Sequence, residues 1–380
     1  MKYVYIVGAS GSIGSQTLDI IRDNPQEFKV IGLSLGRDLV KAKKIIEEFK
    51  PEVICFRENV NIELSYNPII YYGDEGLKEL SSYKKYDNEI FVNALVGISG
   101  LLPTICAIKA KKDILLANKE TLVVAGDIIK NLVRDHNVNL IPIDSEHSAI
   151  LECIKGESKD EIKRLIITAS GGSFRDKQRS ELVNVTKEDA LKHPNWNMGA
   201  KITIDSATMM NKAFEIIEAH YLFDIPYYKI DTVLHRESIV HSLVEFNDGV
   251  IKASLGTSDM HIPIQYALKY PKHDNINLKT LNLFDLSLHF SELKSDRFPC
   301  IDYAYYVSNK DNRIYFAVLN AANEAAVKLF LDDKIKFLDI EKIILEYIKN
   351  PIYESIEYNI NNIIDLSYKI INEIIERYGD

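Results

Sequence analysis

Apolar and polar positions along this chain change their period from one region to the next, and those changes outline its elements. Tyr3–Val7 (YVYIV) is a continuous apolar run of the kind buried on both faces of a parallel sheet. A helical pattern follows, with Thr17, Leu18, Ile20 and Ile21 on one face. The unit then recurs: Lys29–Leu35, Val53–Phe56, Glu89–Val96, Ile114–Ala117 and Asn139–Ile143 read as strands separated by helix-length segments. That alternation predicts a doubly wound parallel sheet. Leu165–Thr168 is a further strand. Residues 193–223 open with the turn-like His-Pro-Asn-Trp-Asn-Met-Gly, pass through a strand-like KITID and enter an amphipathic helix. Beyond them Thr232–Leu234, Ser238–Glu245 and Val250–Leu255, with Asp248-Gly249 as a hairpin signal, change the pattern to antiparallel. From about Lys272 to Asp302 there is little periodicity. Helical patterns close the chain at Ile314–Leu331, Leu338–Ile348 and Ile363–Tyr378, the last with apolar residues at 363, 366, 370, 374 and 378.

The expected class is α/β: an N-terminal doubly wound Rossmann-type domain (1–145), a central α+β catalytic domain (146–272), a connector (273–302) and a C-terminal helical bundle (303–380). A length of 380 residues fits more than one core. The net charge of -9 argues against a nucleic-acid partner bound through the bulk field. Cys55, Cys106, Cys153 and Cys300 are scattered without a CxxC pair, which disfavours a disulfide framework or structural zinc and fits a reducing cytoplasm. No apolar run is read as membrane-spanning, and the strand at the N-terminus leaves no room for a signal peptide.

Several stretches carry candidate chemistry. Gly8-Ala-Ser-Gly11-Ser-Ile-Gly14 sits between a strand and a helix, where glycines let backbone approach a pyrophosphate at the helix N-terminus. The alternative is a glycine turn without a ligand. After the second strand comes Gly36-Arg37-Asp38: the arginine suits the 2′-phosphate of NADP, while the adjacent carboxylate suits the ribose of NAD or a solvated turn. Asn118-Lys119-Glu120 and Asp144-Ser145-Glu146-His147 follow strand ends, where open α/β sheets place ligands. If the strand conformation continues, Asp144 and Glu146 share a face, a costly pairing unless a cation or proton joins them. With Glu215 they would form an oxygen set suited to Mg²⁺ or Mn²⁺. The competing reading is an N-cap Asp, an exposed Glu and a surface lysine. Ser170-Gly171-Gly172 can form an anion nest, and the cluster Ser206, Thr208, Asn211, Lys212 and Glu215 at a helix start suits an anion too. His235 and His241 lie on strands, where a lone histidine is usually structural.

Taken together, GASGSIG, LANKETLV, IDSEHSAI, SGGSFR, HPNWNMG, DSATMMNKAFEIIEA and NAANEAAV resemble the 1-deoxy-D-xylulose 5-phosphate reductoisomerase family, in the family's order and over nearly the whole chain. The resemblance implies an NADPH-dependent enzyme of the non-mevalonate isoprenoid pathway. Such enzymes rearrange 1-deoxy-D-xylulose 5-phosphate and reduce the product to 2-C-methyl-D-erythritol 4-phosphate, with Mg²⁺, Mn²⁺ or Co²⁺. They are homodimers with a V-shaped, three-part subunit. By the resemblance Asp144, Glu146 and Glu215 are the metal ligands. Ser170, Ser206, Asn211 and Lys212 hold the phosphate with His193 nearby. Ser145 contacts substrate, Lys119 reaches substrate and nicotinamide, and His241 shapes the pocket. Trp196 and Met198 belong to a mobile lid. Ser10, Gly11, Ser12, Ile13, Gly36, Arg37, Asp38, Asn118, Glu120, Gly199 and Met260 line the cofactor. Asp38, Ser173 and Arg236 depart from the family's usual Asn, Pro and Pro. Two other readings stay open on the residues alone: an NADP-dependent dehydrogenase of another phosphorylated substrate, which needs no carboxylate trio, and a nucleotide-sensing scaffold, which turns nothing over.

Overall fold

The computed structural model describes residues 1–379, which divide into two compact units. The first comprises Met1–Thr121, Asp127–Ser148 and Asp259–Asn277; the second comprises Leu122–Gly126, Ala149–Ser258 and Leu278 onward.

In the first unit the strands are β1 (Lys2–Val7), β2 (Phe28–Leu35), β3 (Val53–Phe56), β4 (Ile69–Tyr72), β5 (Glu89–Asn93), β6 (Asp113–Leu116) and β7 (Leu140–Pro142). They form one sheet in the order β4-β3-β2-β1-β5-β6-β7, parallel throughout. The chain order reverses between β1 and β5, so the crevice lies where their carboxyl ends diverge. Val4, Tyr5, Ile6 and Val7 are fully buried, as a strand covered on both faces requires. The helices of this unit are α1 (Ser12–Asp23), α2 (Leu39–Phe49), α3 (Gly73–Ser82) and α4 (Leu101–Lys109), with most of α5 (Lys119–His136) and the first turn of α6 (Ser145–Cys153). α1 buries Thr17, Leu18, Ile20 and Ile21, the face read from its period. The strand expected over Glu89–Val96 stops at Asn93, because the Asn93 side chain turns to the Gly100 carbonyl (2.9 Å) and the Thr104 hydroxyl (2.7 Å). β4 escaped the sequence reading: Ile-Ile-Tyr-Tyr at the sheet edge is half exposed and offers no alternation.

The second unit contains a five-stranded mixed sheet in the order β11-β10-β8-β9-β12, from β8 (Ile162–Ala169), β9 (Ile230–Leu234), β10 (Val240–Phe246), β11 (Ile251–Leu255) and β12 (Ser291–Glu292). β8 and β9 run parallel and the other pairs antiparallel. Gly249 turns the β10–β11 hairpin with φ +88°, where a side chain is strained. β12 lies inside the stretch expected to be a plain connector; two residues are too few to show a period. The helices continue as α7 (Lys187–Ala190), α8 (Ala200–Thr208), α9 (Met210–Phe223), α10 (His261–Lys269, in the first unit), α11 (Cys300–Ser308), α12 (Ile314–Leu331), α13 (Phe337–Lys349) and α14 (Ile360–Tyr378). KITID is therefore not a strand. It is the body of α8, whose Ile204, Ala207 and Thr208 face inward at helical spacing. The apolar α12 meets the length and hydropathy of a membrane span, contrary to the sequence reading, but 83% of it is buried, as in a core helix.

Candidate functional site

In the first unit the glycine fingerprint is built as a cradle. Gly8 has φ +83°, and a Cβ there would meet the Ala94 carbonyl at 2.5 Å; one at Gly14 would meet the Gly8 carbonyl at 2.3 Å. Only glycine lets this turn lie so close to the end of β5 and to the first turn of α1. α1 starts at Ser12 after Gly11, with no side-chain cap and no acidic residue in its first turn, so its opening N–H groups and dipole suit an anion. Ser10, Gly11, Ser12 and Ile13 are part-exposed or exposed there. The Ser10 hydroxyl accepts from the Gly36 N–H (2.9 Å), and its carbonyl accepts from Lys41 Nζ (2.7 Å), tying the end of β2 to the fingerprint. Asp38 caps α2 by accepting from the Lys41 N–H at 3.0 Å. Arg37 is exposed, and its guanidinium has no hydrogen bond or ion pair among the described residues. These features fit a phosphorylated dinucleotide.

At the ends of β6 and β7 a second cluster forms. Asn118 caps α5, accepting from the Thr121 N–H (3.1 Å), while its amide donates to the carbonyls of Leu95 and Gly97 (3.0 Å each). Glu120 accepts from the Gly97 N–H at 3.2 Å. Both side chains thus brace the loop after β5. Lys119, 6% exposed, donates to Asp144 Oδ2 at 2.8 Å. Asp144 Oδ1 lies 3.0 Å from His147 Nδ1 and accepts from the Glu146 N–H at 3.1 Å. Burial alone would raise the pKa of Asp144; Lys119 and His147 outweigh it and hold the carboxyl well below the usual carboxylate range. The chain does not stay extended here, as the alternation argument supposed. β7 ends at Pro142 and α6 begins at Ser145, so Asp144 is at once a helix cap and a fixed anion. Ser145 Oγ donates to Glu146 at 2.6 Å. Met260 lies at the start of α10, part-exposed.

In the second unit β8 runs into Ser170-Gly171-Gly172. A Cβ on Gly172, whose φ is +64°, would meet the Ser206 carbonyl at 2.5 Å, so only glycine lets this loop lie against the end of α8. Met209, at φ +63°, breaks α8 from α9 and sets Asn211 and Lys212 in the first turn of α9. Glu215 is 1% exposed and receives hydrogen bonds from Asn211 Nδ2 and Lys212 Nζ. His193 Nδ1 accepts from the N–H groups of Asn195 (3.2 Å) and Trp196 (2.9 Å). The proton of the neutral ring then sits on Nε2, 3.1 Å from Ser170 Oγ. Ser170 accepts this bond and one from the Gly172 N–H (3.3 Å), so its own hydrogen points elsewhere. The Trp196 ring lies 5.9 Å from that of His241 on β10. Met198 is part-exposed on the same loop, and Gly199 precedes α8.

Some residues that shape the site were not singled out from sequence. Asn323 of α12 donates to Asp205 Oδ1 (2.8 Å) and Lys201 to Oδ2 (2.8 Å), fixing α8 from behind. Asn323 lies in NAANEAAV, so the motif was visible but its partner, far away in sequence, was not. His235 is structural: its Nδ1 faces the His289 carbonyl (2.9 Å), and its Nε2 accepts from the Val240 N–H (3.1 Å). All four cysteines are free.

Three family profiles match this chain. 1-deoxy-D-xylulose 5-phosphate reductoisomerase covers residues 4–126, its C-terminal domain residues 140–223, and a further DXP reductoisomerase C-terminal domain residues 255–371. A 1-deoxy-D-xylulose 5-phosphate reductoisomerase of Bacillus cereus (strain AH187) is 53% identical over 352 residues, 90% of this chain and 91% of that one. One from Geobacillus sp. (strain WCH70) is 51% identical over 369 residues, 94% and 96% of the two chains. Among solved structures, a DOX-P reductoisomerase in complex with NADPH, fosmidomycin and magnesium aligns with TM-score 0.94 at 38% identity, over 100% of this chain and 98% of that one. The Zymomonas mobilis enzyme in complex with NADPH aligns with TM-score 0.87 at 36% identity, over 98% and 97%.

Proposed function

The chain belongs to the 1-deoxy-D-xylulose 5-phosphate reductoisomerase family, and from that premise we propose how its own residues serve the family's reaction, the NADPH- and divalent-metal-dependent conversion of 1-deoxy-D-xylulose 5-phosphate to 2-C-methyl-D-erythritol 4-phosphate. The observation that carries the reading is chemical. Lys119 and His147 hold Asp144 ionised, and Asn211 and Lys212 donate to the buried Glu215, so the donors offered are carboxylate oxygens rather than sulfur. Asp144, Glu146 and Glu215 would hold Mg²⁺ or Mn²⁺, with Co²⁺ also admitted by such donors. When bound, the ion supplies stabilisation of charge on the substrate oxygens, and NADPH supplies the hydride.

The protein's part is to bind, orient and exclude water. Ser170, Ser206, Asn211 and Lys212 take the substrate phosphate, with Ser170 turned by His193 so that its hydroxyl hydrogen is available. Ser145 and Glu146 meet the sugar hydroxyls. Lys119 stands between substrate and nicotinamide while keeping Asp144 ionised. Trp196 and Met198 cover the sugar against the wall made by His241 and keep water out. Ser10–Ile13, Gly36–Asp38, Asn118, Glu120, Gly199 and Met260 line the cofactor, Arg37 facing the 2′-phosphate. Binding energy from the phosphate, far from the reacting carbons, fixes their geometry.

The proposal extends to organisation. The sheet part (146–272) and helical part (303–380) act separately, the first for chemistry and the second as a brace through contacts such as Asn323 to Asp205. A homodimer is supported by exposed apolar residues: Phe284 is 99% exposed, Leu283 70%, and the edge strand β11 presents Ile251 and Leu255. The free cysteines support a cytoplasmic location. The reading is tested by following NADPH absorbance with deoxyxylulose phosphate and Mg²⁺. Stoichiometric oxidation that a chelator stops is expected; oxidation indifferent to chelation would favour an ordinary dehydrogenase.

A further inference from the structure

Within the loop that carries His193 and Trp196, the side chain of Asn195 is bonded at both ends of its amide. Its Nδ2 donates to the Arg236 carbonyl (2.7 Å) and to Ser238 Oγ (2.7 Å), and its Oδ1 accepts from Arg175 Nη1 (3.2 Å). Arg175 Nη1 also donates to the Arg236 carbonyl at 2.9 Å, so the guanidinium, the amide and the turn after β9 close into a ring.

Each anchor is itself fixed. Ser238 holds a left-handed backbone (φ 52°), and the turn on either side is pinned by the buried His235 ring, which accepts from the Val240 N–H. Arg175 belongs to a loop whose carbonyls at Phe174, Arg175 and Lys177 all accept from Arg297 Nη2, at 2.7, 2.6 and 2.6 Å. Arg236, where the family usually has proline, adds a bridge to Asp176 of the same loop at 2.6 Å. A polar cleft of about 550 Å³ runs beside these groups, lined by Arg175, Pro194, Asn195, Arg236, Glu237 and Ser258.

We propose that Asn195 is a positioning residue: a latch that fixes the base of this loop, and through it the places of His193 and Trp196, before substrate arrives. The inference rests on the reading above in one respect, that His193 and Trp196 meet the substrate. The physical argument concerns where the ordering entropy falls. A loop whose base is held by three hydrogen bonds has less order left to acquire on binding, whereas a loosened loop is ordered at the expense of substrate affinity. Once ordered it presents the same groups, so the chemical step is spared.

Trp196 is the sole tryptophan, so its fluorescence reports this loop alone. The experiment compares wild type, Asn195→Ala and Ser238→Ala. Acrylamide quenching of Trp196 is measured without substrate, and turnover is measured with deoxyxylulose phosphate, NADPH and Mg²⁺. Asn195→Ala should raise the quenching constant about two-fold and KM for the sugar phosphate about ten-fold, with kcat within about two-fold, as expected when binding-competent conformers become scarce. Ser238→Ala, outside the loop, should shift both in the same direction by less. NADPH affinity, measured separately, should be unchanged, which distinguishes a loosened loop from a misfolded protein. Unchanged quenching in Asn195→Ala would overturn the latch. Increased quenching with unaltered KM would overturn its role in positioning. If wild type fails to turn over this substrate the proposed reaction is wrong, and the substrate-free quenching still decides whether Asn195 holds the loop.

Discussion

In the proposed reading cofactor choice depends on two adjacent side chains, Arg37 and Asp38, and replacing each in turn should move it in opposite directions. Asp38 spends its carboxylate on the Lys41 N–H, 3.0 Å away, as the cap of α2, whereas Arg37 is exposed and without a partner among the described residues. The Gly36 N–H bonded to Ser10 at 2.9 Å keeps this turn against the fingerprint, and the proposed role of Arg37 is to meet the 2′-phosphate there. A hydrogen bond to a charged group contributes roughly 1.5–3 kcal/mol, and solvent exposure puts Arg37 at the lower end. Arg37→Ala should therefore raise KM for NADPH about ten-fold and that for NADH by less than about two-fold. Asp38→Asn keeps a capping oxygen, so α2 loses little. It also removes a negative charge beside the phosphate, roughly 0.5–1 kcal/mol at high effective dielectric, so NADPH should bind about two- to five-fold more tightly. The assay is kcat/KM for both cofactors in wild type and the two variants at fixed ionic strength. Equal losses for NADPH and NADH in Arg37→Ala, or an Asp38→Asn variant that turns toward NADH, would refute the assignment.

Other perturbations read other parts of the fold. Gly172→Ala places a Cβ 2.5 Å from the Ser206 carbonyl at φ +64°, so it should cost about 2–4 kcal/mol in denaturant melts and weaken inorganic phosphate as a competitor. Asn323→Ala leaves Asp205 with only the Lys201 bond and should destabilise the protein by about 1.5–3 kcal/mol; an unchanged melt would deny the brace. Lys112, fully buried over the Tyr5 ring and donating to the Ser81 carbonyl at 3.0 Å, has its pKa pushed down to about 7 by desolvation, against the pull of Glu89. Between pH 7 and 10.5 the unfolded chain keeps a proton that the folded one has released, so stability should rise with pH across that window and reach its floor below 7. Relative to Lys112→Met, wild type should gain about 1 kcal/mol per pH unit from pH 7 to 9 in urea melts; parallel curves would show that Lys112 stays charged.

Legibility in the sequence followed the range of the interactions. The parallel sheet was readable because each strand is a buried apolar run, and the glycine fingerprint because its demands are local to Gly8–Gly14. KITID misled because its β-branched residues favour a strand. What makes it a helix is tertiary: Asp205 is tied to Asn323 and Gly172 seats on Ser206, contacts invisible along the chain. The Asp144 stretch was singled out on a geometry the chain does not adopt. Alternation along a strand was assumed, but the carboxylate caps a helix and is charged by Lys119 and His147. Asn195 stood in the open within HPNWNMG, yet its partners Arg175, Arg236 and Ser238 come from two other segments.

The proposed ligands of the divalent ion are Asp144, Glu146 and Glu215. The most direct measurement is Mn²⁺ binding to chelator-treated protein, followed by electron paramagnetic resonance of the free ion in wild type, Asp144→Asn and Glu215→Gln. One tight Mn²⁺ per chain in wild type, weakened at least about 100-fold in either variant with NADPH binding retained, is the predicted result. Unchanged Mn²⁺ affinity in both variants would contradict it.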